Sequence, residues 1–308
     1  MMVLEAELPH VHSKAGTPHR LMEAVEVQMH KLIGATSSPD HVVDPVAQRA
    51  AVYHLSSGGQ RIRAQLAIQA SLALTLPAGD AVSLATAVEL VHQASLVHDD
   101  LQDRDVTRRG MSTVWVAYGD GVAICTGDVL LSAAYCALAA ISRPHLLPTL
   151  IPLLHRRIAD ATTGQCVDLI NTPNGSLSFD QYKIIAALKS GSLLALPIEL
   201  SLAAAGELQA IPLARRAAEL FAMAYQIFDD LNDVQTDLMR TTSLPAINAV
   251  AVIQACYPLK DARAAARQHA LGFLGEAATA SLSLPRQSGL LLGRLAHDLS
   301  ARISRDTT

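Results

Sequence analysis

Two long apolar segments of this chain run into the same acidic pattern, DDxxD, and this repeated pattern restricts the fold more than any other feature. The aspartates are Asp99, Asp100 and Asp103 in the first copy and Asp229, Asp230 and Asp233 in the second. Residues four positions apart lie on one face of a helix, so each copy places two carboxylates side by side, where like charges repel. The fold must therefore bring cations to both clusters.

The composition predicts that these segments are helices. Half of the 308 residues are hydrophobic and only 4% are aromatic, and alanine and leucine, both strong helix formers, dominate. Apolar residues recur at helical spacing in nearly every segment, and Asp80, Asp180 and Asp261 stand where N-caps are expected. No internal repeat or linker-like change of composition divides the chain. We therefore expect an all-α protein with a flexible tail at 1–17 and a single domain at 18–308.

Charge and cysteine content exclude several classes of protein. The net charge is −4 and the basic residues are scattered, which predicts no nucleic-acid partner. Cys125, Cys136, Cys166 and Cys256 form no CxxC pair, so we expect buried, reduced thiols in a cytoplasmic protein. The N-terminus carries acids and a proline where a signal peptide has a basic start. The longest apolar run, 129–142, is too short to span a membrane, so we expect a buried helix and no transmembrane segment.

The acidic clusters have the chemistry of a magnesium site. Carboxylate oxygens without histidine or cysteine suit a hard divalent ion such as Mg²⁺, which typically takes one or two carboxylates together with substrate phosphates. Arg108 and Arg109 follow the first cluster within one loop, and guanidinium groups bind phosphate oxygens in a bidentate way. A single DDxxD is more often a solvated helix face. Two copies beside paired arginines favour a ligand that carries phosphates.

The order of the motifs resembles that of the trans-isoprenyl diphosphate synthases, all-α prenyltransferases that include farnesyl and geranylgeranyl diphosphate synthases. The resemblance extends from Tyr53 to Asp237. Its landmarks are GGQRIR (58–63), VELVHQASLVHDDLQD (88–103), RRG (108–110), GD (127–128), GQCVDL (164–169), KSG (189–191) and YQIFDDLND (225–233). The resemblance implies a single-domain antiparallel helical bundle around a central cavity, and a homodimer.

The same resemblance implies the roles of the site residues. Three Mg²⁺ ions would hold an allylic diphosphate through the metal ligands Asp99, Asp103, Asp229 and Asp233, with Asp100 and Asp230 in support. The allylic diphosphate would also contact Arg108 and Lys189, and isopentenyl diphosphate would contact Gln60, Arg63, His92 and Arg109. Gln226 would face the reacting carbons. The implied catalytic residues are therefore Asp99, Asp103, Lys189, Gln226 and Asp229.

Several positions depart from the family pattern and leave alternatives open. Gln60 replaces a usual lysine, Trp115 a usual histidine and Ser190 a usual threonine, and the segment after Asp233 lacks a loop rich in glycine and lysine. These changes allow a catalytically weak subunit that regulates a partner synthase. A class I terpene cyclase shares the ionisation step, but it has no need of a second diphosphate site. The second site implied at Arg63 argues against a cyclase.

Small residues below the first cluster predict the length of the product. Ala94 and Ser95 lie one helical turn before Asp99, where short-chain members of the family carry an aromatic ring. Because neither residue blocks a prenyl tail, the sequence favours geranylgeranyl diphosphate or a longer product over farnesyl diphosphate. Leu131 and Tyr135 on a neighbouring helix are the candidates for the next obstruction, although both also suit an ordinary core.

Overall fold

The computed structural model describes residues 17–34, 44–170, 177–239, 248–256 and 261–305, without the side chains of 233–239 and of Cys256. Nearly all of the described chain is helical, with one short hairpin formed by β1 (Thr107–Arg108) and β2 (Met111–Ser112). The helices are α1 (Thr17–Gly34), α2 (Val46–Ser56), α3 (Ile62–Ala73), α4 (Ala78–Gln102), α5 (Val114–Tyr118), α6 (Asp120–Ala139), α7 (Leu147–Ile170), α8 (Phe179–Ala186), α9 (Ser192–Ala205), α10 (Ile211–Met239), α11 (Ala249–Cys256), α12 (Ala262–Leu282) and α13 (Leu290–Arg305). The predicted all-α fold is confirmed.

Helix α4 is the central element of the bundle. Residues on every side of this helix are buried, including its polar residues Glu89, His92 and Gln93, as expected for a helix surrounded by other helices. It packs most extensively against α6, where the imidazole of His98 lies so close to Gly127 that a β-carbon there would approach Nε2 to 2.0 Å. Buried apolar residues from α1 to α13 form one core cluster.

Several local expectations change in the structure. Asp261 caps α12 by accepting a hydrogen bond from the backbone nitrogen of Ala264 (2.9 Å), but the other two predicted N-caps are wrong. Asp80 lies inside α4 and binds Arg143 (3.0 Å), and Asp180 follows the true cap of α8, Ser178. The first acidic cluster ends its helix as expected, whereas the second lies inside α10, which continues to Met239.

The apolar run at 129–142 belongs to a longer helix than expected. Helix α6 begins at Asp120, and the two helical stretches Asp120–Ala139 and Phe179–Ala205 are long and apolar enough to cross a membrane by length and composition. A core helix of a soluble protein passes the same test, and 78% of the second stretch is buried.

Cys125, Cys136 and Cys166 are free thiols as predicted, but they are exposed and not buried. Residues 1–16 and the side chain of Cys256 lie outside the described part of the chain.

Candidate active site

The first acidic cluster lies at the C-terminal end of α4. Asp99 is 5% exposed, and Asp103 is the half-buried C-cap, with its backbone nitrogen 2.7 Å from the carbonyl oxygen of Asp99. Burial raises the pKa of Asp99, and the neighbouring Asp103 raises it further. A helix C-terminus also disfavours negative charge. The charged form of this cluster therefore requires a cation.

Asp100 has a different partner from its two neighbours. The guanidinium of Arg108 donates to both oxygens of Asp100, with Nε at 2.8 Å from Oδ1 and 2.9 Å from Oδ2. Both side chains are buried, at 1% and 9% exposure. The pair fixes Arg108, the predicted ligand of the allylic diphosphate, against the end of α4. Asp100 therefore orients this arginine, and its support of the metal ligands stays a prediction.

Trp115 stabilises the loop that carries Arg108. Its indole Nε1 donates to the carbonyl oxygen of Asp105 (2.8 Å), which also accepts from the Thr113 hydroxyl (2.8 Å). The guanidinium of Arg104 lies 5.1 Å from the centre of the indole ring. An indole N–H donates one hydrogen bond, as a histidine in this position can. The replacement of the usual histidine therefore leaves the loop anchored.

Lys189 projects from a π-helical turn, Ala187–Gly191, between α8 and α9. Its ammonium group forms an ion pair with Asp168 on α7. Burial acts in the opposite direction, but Asp168 and Asp99 raise the pKa of Lys189, which keeps the amine charged. Gly164 permits the close contact of α7 with this turn, since a β-carbon there would lie 2.5 Å from the backbone nitrogen of Lys189.

The second acidic cluster contains two aspartates with different surroundings. Asp229 is 6% exposed. Asp230 accepts hydrogen bonds from Tyr182 (2.7 Å), from Nε2 of Gln226 (3.0 Å) and from the backbone nitrogen of Ala249 (2.7 Å). Asp230 thus joins α8, α10 and α11, and it holds the side chain of Gln226. The side chain of Asp233, the fourth predicted metal ligand, lies outside the described residues.

Arg63 and His92 form a buried polar pair, in which His92 lies about two helical turns before Asp99 on α4. Nη1 of Arg63 lies 3.0 Å from Nε2 of His92, and the two side chains are 3% and 5% exposed. Burial lowers the pKa of Arg63 to about 10, so the guanidinium is charged at neutral pH. Nε of Arg63 and Nδ1 of His92 are buried without a hydrogen-bond partner. Unsatisfied buried groups of this kind are rare in folded proteins, and an anion would satisfy them.

Arg109 and Gln60 take part in contacts around the glycine turn between α2 and α3. Nη1 of Arg109 donates to the carbonyl oxygen of Gly58, and Gly59 has a φ of +124°. A β-carbon at Gly59 would lie 2.6 Å from Cζ of Arg109, so only glycine allows the guanidinium to cover this turn. Burial lowers the pKa of Arg109 to about 10. Gln60 is half-buried, and its carbonyl oxygen accepts from Gln65 (2.6 Å).

The residues present fit Mg²⁺ only with the help of phosphate oxygens. Among the described side chains, no three groups from histidine, cysteine, aspartate and glutamate lie close enough together to hold a metal ion. Mg²⁺ usually takes few protein ligands and completes its octahedron with water and substrate phosphates. The buried Asp99 and Asp229 and the half-buried Asp103 supply oxygen ligands of the kind it prefers. These aspartates would hold the ions against a diphosphate.

The described site includes contacts that the sequence analysis did not assign. Asp168 lies in the GQCVDL motif and Glu89 in the VELVHQASLVHDDLQD motif, but neither motif predicts their contacts. The contact of Tyr182 with Asp230 is likewise absent from any motif. The chain-length candidates lie where predicted. Ala94 is fully buried, Ser95 is half-buried one turn below Asp99, and Leu131 and Tyr135 are half-buried on α6 against the core.

Buried histidines near the site predict a loss of stability in acid. Burial, with Arg108, lowers the pKa of His54 to about 3, and burial, with Arg63, lowers that of His92 well below its usual value. The unfolded chain takes up these protons below about pH 6.5, and the folded chain does not. The free energy of unfolding should fall by about 1.4 kcal/mol per pH unit for each histidine as the pH decreases below 6.5, and for His54 this fall should continue towards pH 3.

Urea unfolding at several pH values in this range measures that slope. The His54→Gln variant, which keeps a hydrogen-bonding side chain beside Gln93, should lose the share of the slope that His54 contributes. The exposed His155→Gln variant serves as the control and should keep the full slope. Equal slopes in all three proteins would contradict the prediction.

Sequence comparison identifies the family. The model of the family described as polyprenyl synthetase matches residues 44–242. A probable farnesyl diphosphate synthase of Bradyrhizobium diazoefficiens is 32% identical over 258 residues, which cover 79% of this chain and 75% of that protein. A geranylgeranyl diphosphate synthase of Mycobacterium tuberculosis is 33% identical over 204 residues, 66% of this chain and 58% of that protein. The relatives therefore include synthases with products of different length.

Solved structures show the same fold. A geranyltranstransferase of Thermotoga maritima superimposes with a TM-score of 0.76 at 23% identity, covering 93% of this chain and all of that chain. A decaprenyl diphosphate synthase of Rhodobacter capsulatus gives a TM-score of 0.76 at 20% identity, with coverage of 93% and 99%. The family match, the relatives and the shared fold agree with the motifs described above. The chain belongs to the polyprenyl synthetase family, the trans-isoprenyl diphosphate synthases, and is a prenyltransferase.

Proposed function

We propose that this prenyltransferase condenses an allylic diphosphate with isopentenyl diphosphate in a Mg²⁺-dependent reaction and forms geranylgeranyl diphosphate. The observation that carries the proposal is the presence of two separate cationic groups along α4, one at its C-terminal end and the other about two helical turns earlier. One contains Lys189 and Arg108 beside the aspartates, and the other contains the buried pair of Arg63 and His92. Two diphosphates require two such sites.

The residues at the first site support ionisation of the allylic substrate. Breaking the allylic carbon–oxygen bond leaves a carbocation and a diphosphate anion. Mg²⁺ bound at the aspartates would act as a Lewis acid on the leaving group. Lys189, kept charged by Asp168, and Arg108, oriented by Asp100, lie where negative charge develops. Fixed cations at that position stabilise the transition state more than the ground state.

The residues at the second site hold the nucleophile. Arg63 and His92 present buried donors to the diphosphate of isopentenyl diphosphate, which leaves its double bond to attack the allylic carbon. A proton is then lost from the condensation product, and the released diphosphate serves as the base. The reaction therefore needs no general base from the protein. A cyclase would make no use of this second site.

The direct test incubates the purified protein with Mg²⁺, isopentenyl diphosphate and dimethylallyl, geranyl or farnesyl diphosphate, and then identifies the dephosphorylated products by mass. We expect geranylgeraniol from each starter. Longer alcohols would contradict the proposed product length but would support the proposed condensation reaction. Loss of the starter to a hydrocarbon without consumption of isopentenyl diphosphate would indicate a cyclase, and survival of every starter would indicate the regulatory subunit.

Ser95 provides a test of the product length. It is half-buried on the face of α4 that carries Asp99, one turn closer to the N-terminus. We expect Ser95→Phe to place a ring in the path of the growing tail and to shift the main product from twenty to fifteen carbons. The product ratio by mass spectrometry measures the shift. The control is Ser142→Phe, outside the bundle interior and exposed, which should leave the ratio unchanged; unaltered products in Ser95→Phe would show that the tail takes another route.

We also propose a cytoplasmic homodimer. The outer surface of α5 to α7 carries apolar side chains that a folded monomer would leave in water: Val116, Ile124 and Ile151 are 44%, 50% and 40% exposed. Apolar side chains that a partner covers are typical of a protein interface. The exposed free thiols Cys125 and Cys136 suit a reducing compartment. Analytical ultracentrifugation should give a mass near twice 32.7 kDa, and Ile124→Glu should shift it towards the monomer.

A further inference from the structure

Glu89 is a completely buried carboxylate that the reaction described above does not use. It is 0% exposed and lies on α4, three residues before His92. Three donors converge on it. Oε2 is 3.3 Å from the backbone nitrogen of Ala64, and Oε1 accepts from Nε2 of Gln93 (2.7 Å) and lies 3.6 Å from Nη1 of Arg61.

These contacts place Glu89 at the N-terminus of α3. Helix α3 has Arg61 as its N-cap, in a left-handed conformation with a φ of 51°, and no side chain of the neighbouring sequence caps it. The first amide groups of a helix have no partner within the helix. Glu89 supplies that acceptor from another helix, at the amide directly after Arg63. It therefore fixes the turn from which Arg63 reaches His92 (3.0 Å).

The network behind Glu89 extends away from the site and holds it in place. Oε1 of Gln93 binds Nε2 of His54 (2.9 Å), and Nε of Arg61 donates to Glu26 (2.8 Å). These contacts connect α1, α2, α3 and α4 through polar groups alone. Such buried networks give a rigid arrangement when every member has a partner. Glu89 is the residue at which the contacts from α3 and α4 meet.

We propose that Glu89 is a positioning residue for the isopentenyl diphosphate site, which it serves by capping α3 and thereby aiming Arg63 at the ligand. Glu89 makes no contact with the substrate in this role. The inference rests on the proposed function, because it names isopentenyl diphosphate as the ligand. It extends that function by adding a residue that acts through Arg63 and Arg61.

The Glu89→Gln variant distinguishes an effect of the hydrogen bonds that Glu89 accepts from an effect of its negative charge. Glutamine offers one acceptor and one donor where three donors converge, so one donor must lose its partner. If Glu89 acts by position, Glu89→Gln should weaken the binding of isopentenyl diphosphate by about tenfold, equivalent to about 1.4 kcal/mol. If only its charge mattered, removing a negative charge near an anion site would strengthen binding. The sign of the change distinguishes the two cases.

Glu199 offers a matched control. It is also a 0% exposed carboxylate bound to two arginines, Arg157 (2.7 Å) and Arg215 (3.1 Å), but it lies on α9 between α7 and α10. We expect Glu199→Gln to lower the thermal midpoint without changing the affinity for isopentenyl diphosphate. A change of affinity of equal size in both variants would overturn the proposal, because it would reduce the effect of Glu89 to a loss of stability.

The experiment measures isopentenyl diphosphate binding to the full chain by isothermal titration calorimetry, and the KM of each substrate in turnover. We expect Glu89→Gln to raise the KM of isopentenyl diphosphate about tenfold and to leave the KM of the allylic substrate and kcat within about a factor of two. If the wild-type protein binds isopentenyl diphosphate but does not turn it over, the proposed function is contradicted. The role of Glu89 is then decided by calorimetry alone, from the affinity of Glu89→Gln. Unchanged or tighter binding by Glu89→Gln would overturn the role of Glu89.

Discussion

Replacing Asp99 by asparagine should reduce kcat by at least about a thousandfold, since removing one preorganised group that stabilises transition-state charge already costs up to that factor. Asparagine keeps the volume of the side chain but loses the charge that binds the metal. Asp99 is 5% exposed at the end of the buried helix α4. A carboxylate on the protein surface therefore cannot reach the position at which Asp99 would bind the metal. Steady-state rates over a range of Mg²⁺ concentrations measure the effect, and the Mg²⁺ requirement should rise.

The second cluster should respond in the same way, because the proposed function has Asp229 on α10 bind the same diphosphate through the metal ions. The double variant Asp99→Asn with Asp229→Asn should lose little more than either single variant, since groups that act as one unit are strongly non-additive. Asp180→Asn on α8, 83% exposed, is the control and should keep full activity. Rates within tenfold of the wild type for Asp99→Asn would show that the metal ions are held elsewhere.

Replacing Arg108 by leucine should have the largest effect on stability, a loss of about 3–5 kcal/mol in the free energy of unfolding. The reason lies in Asp100, which is 1% exposed and receives the donors of Arg108 on both oxygens. Removing the arginine leaves a buried carboxylate without its cation. Urea unfolding at pH 7 measures the change, and turnover of the folded fraction should fall as well if Arg108 binds the allylic diphosphate as proposed.

Arg104, in the same loop, provides the matched control. Its ion pair with Asp120 (2.9 Å) joins two side chains that are 58% and 53% exposed. Exposed pairs contribute little, so Arg104→Leu should cost at most about 1 kcal/mol. The double variant Arg108→Leu with Asp100→Asn should recover part of the lost stability, because the buried charge is absent from it. Equal losses for Arg108→Leu and Arg104→Leu would contradict this account of the buried pair.

The all-α fold could be predicted from the sequence because it depends on local patterns, whereas the roles of the site residues stay predictions. The helical period of the apolar residues identified α4 and α10, and the i, i+4 spacing placed Asp99 and Asp103 on one face. The predicted roles of Arg63 and His92 came from the family resemblance, and the structure places the two side chains 3.0 Å apart. These predictions needed only neighbours along the chain or motifs in their usual order.

The remaining features depend on contacts between distant segments, which a local pattern does not contain. Tyr182 and Asp230 are 48 residues apart, and Glu89 meets Ala64 across 25 residues. The second acidic cluster does not end its helix, because Asn232 and the residues after it do not interrupt a helix. The N-cap predicted at Asp80 is wrong because this carboxylate binds Arg143, which comes from a distant part of the chain.

The position of Trp115 also gives the protein an optical reporter. It is the only tryptophan in the chain, and its ring lies under Arg104 and donates to the backbone of the loop that carries Arg108 and Arg109. Indole emission depends on the polarity around the ring and on nearby charges. Any ligand that moves this loop therefore changes a signal that comes from a single residue. Binding at the proposed allylic diphosphate site can therefore be followed in real time in the unlabelled, unmodified protein.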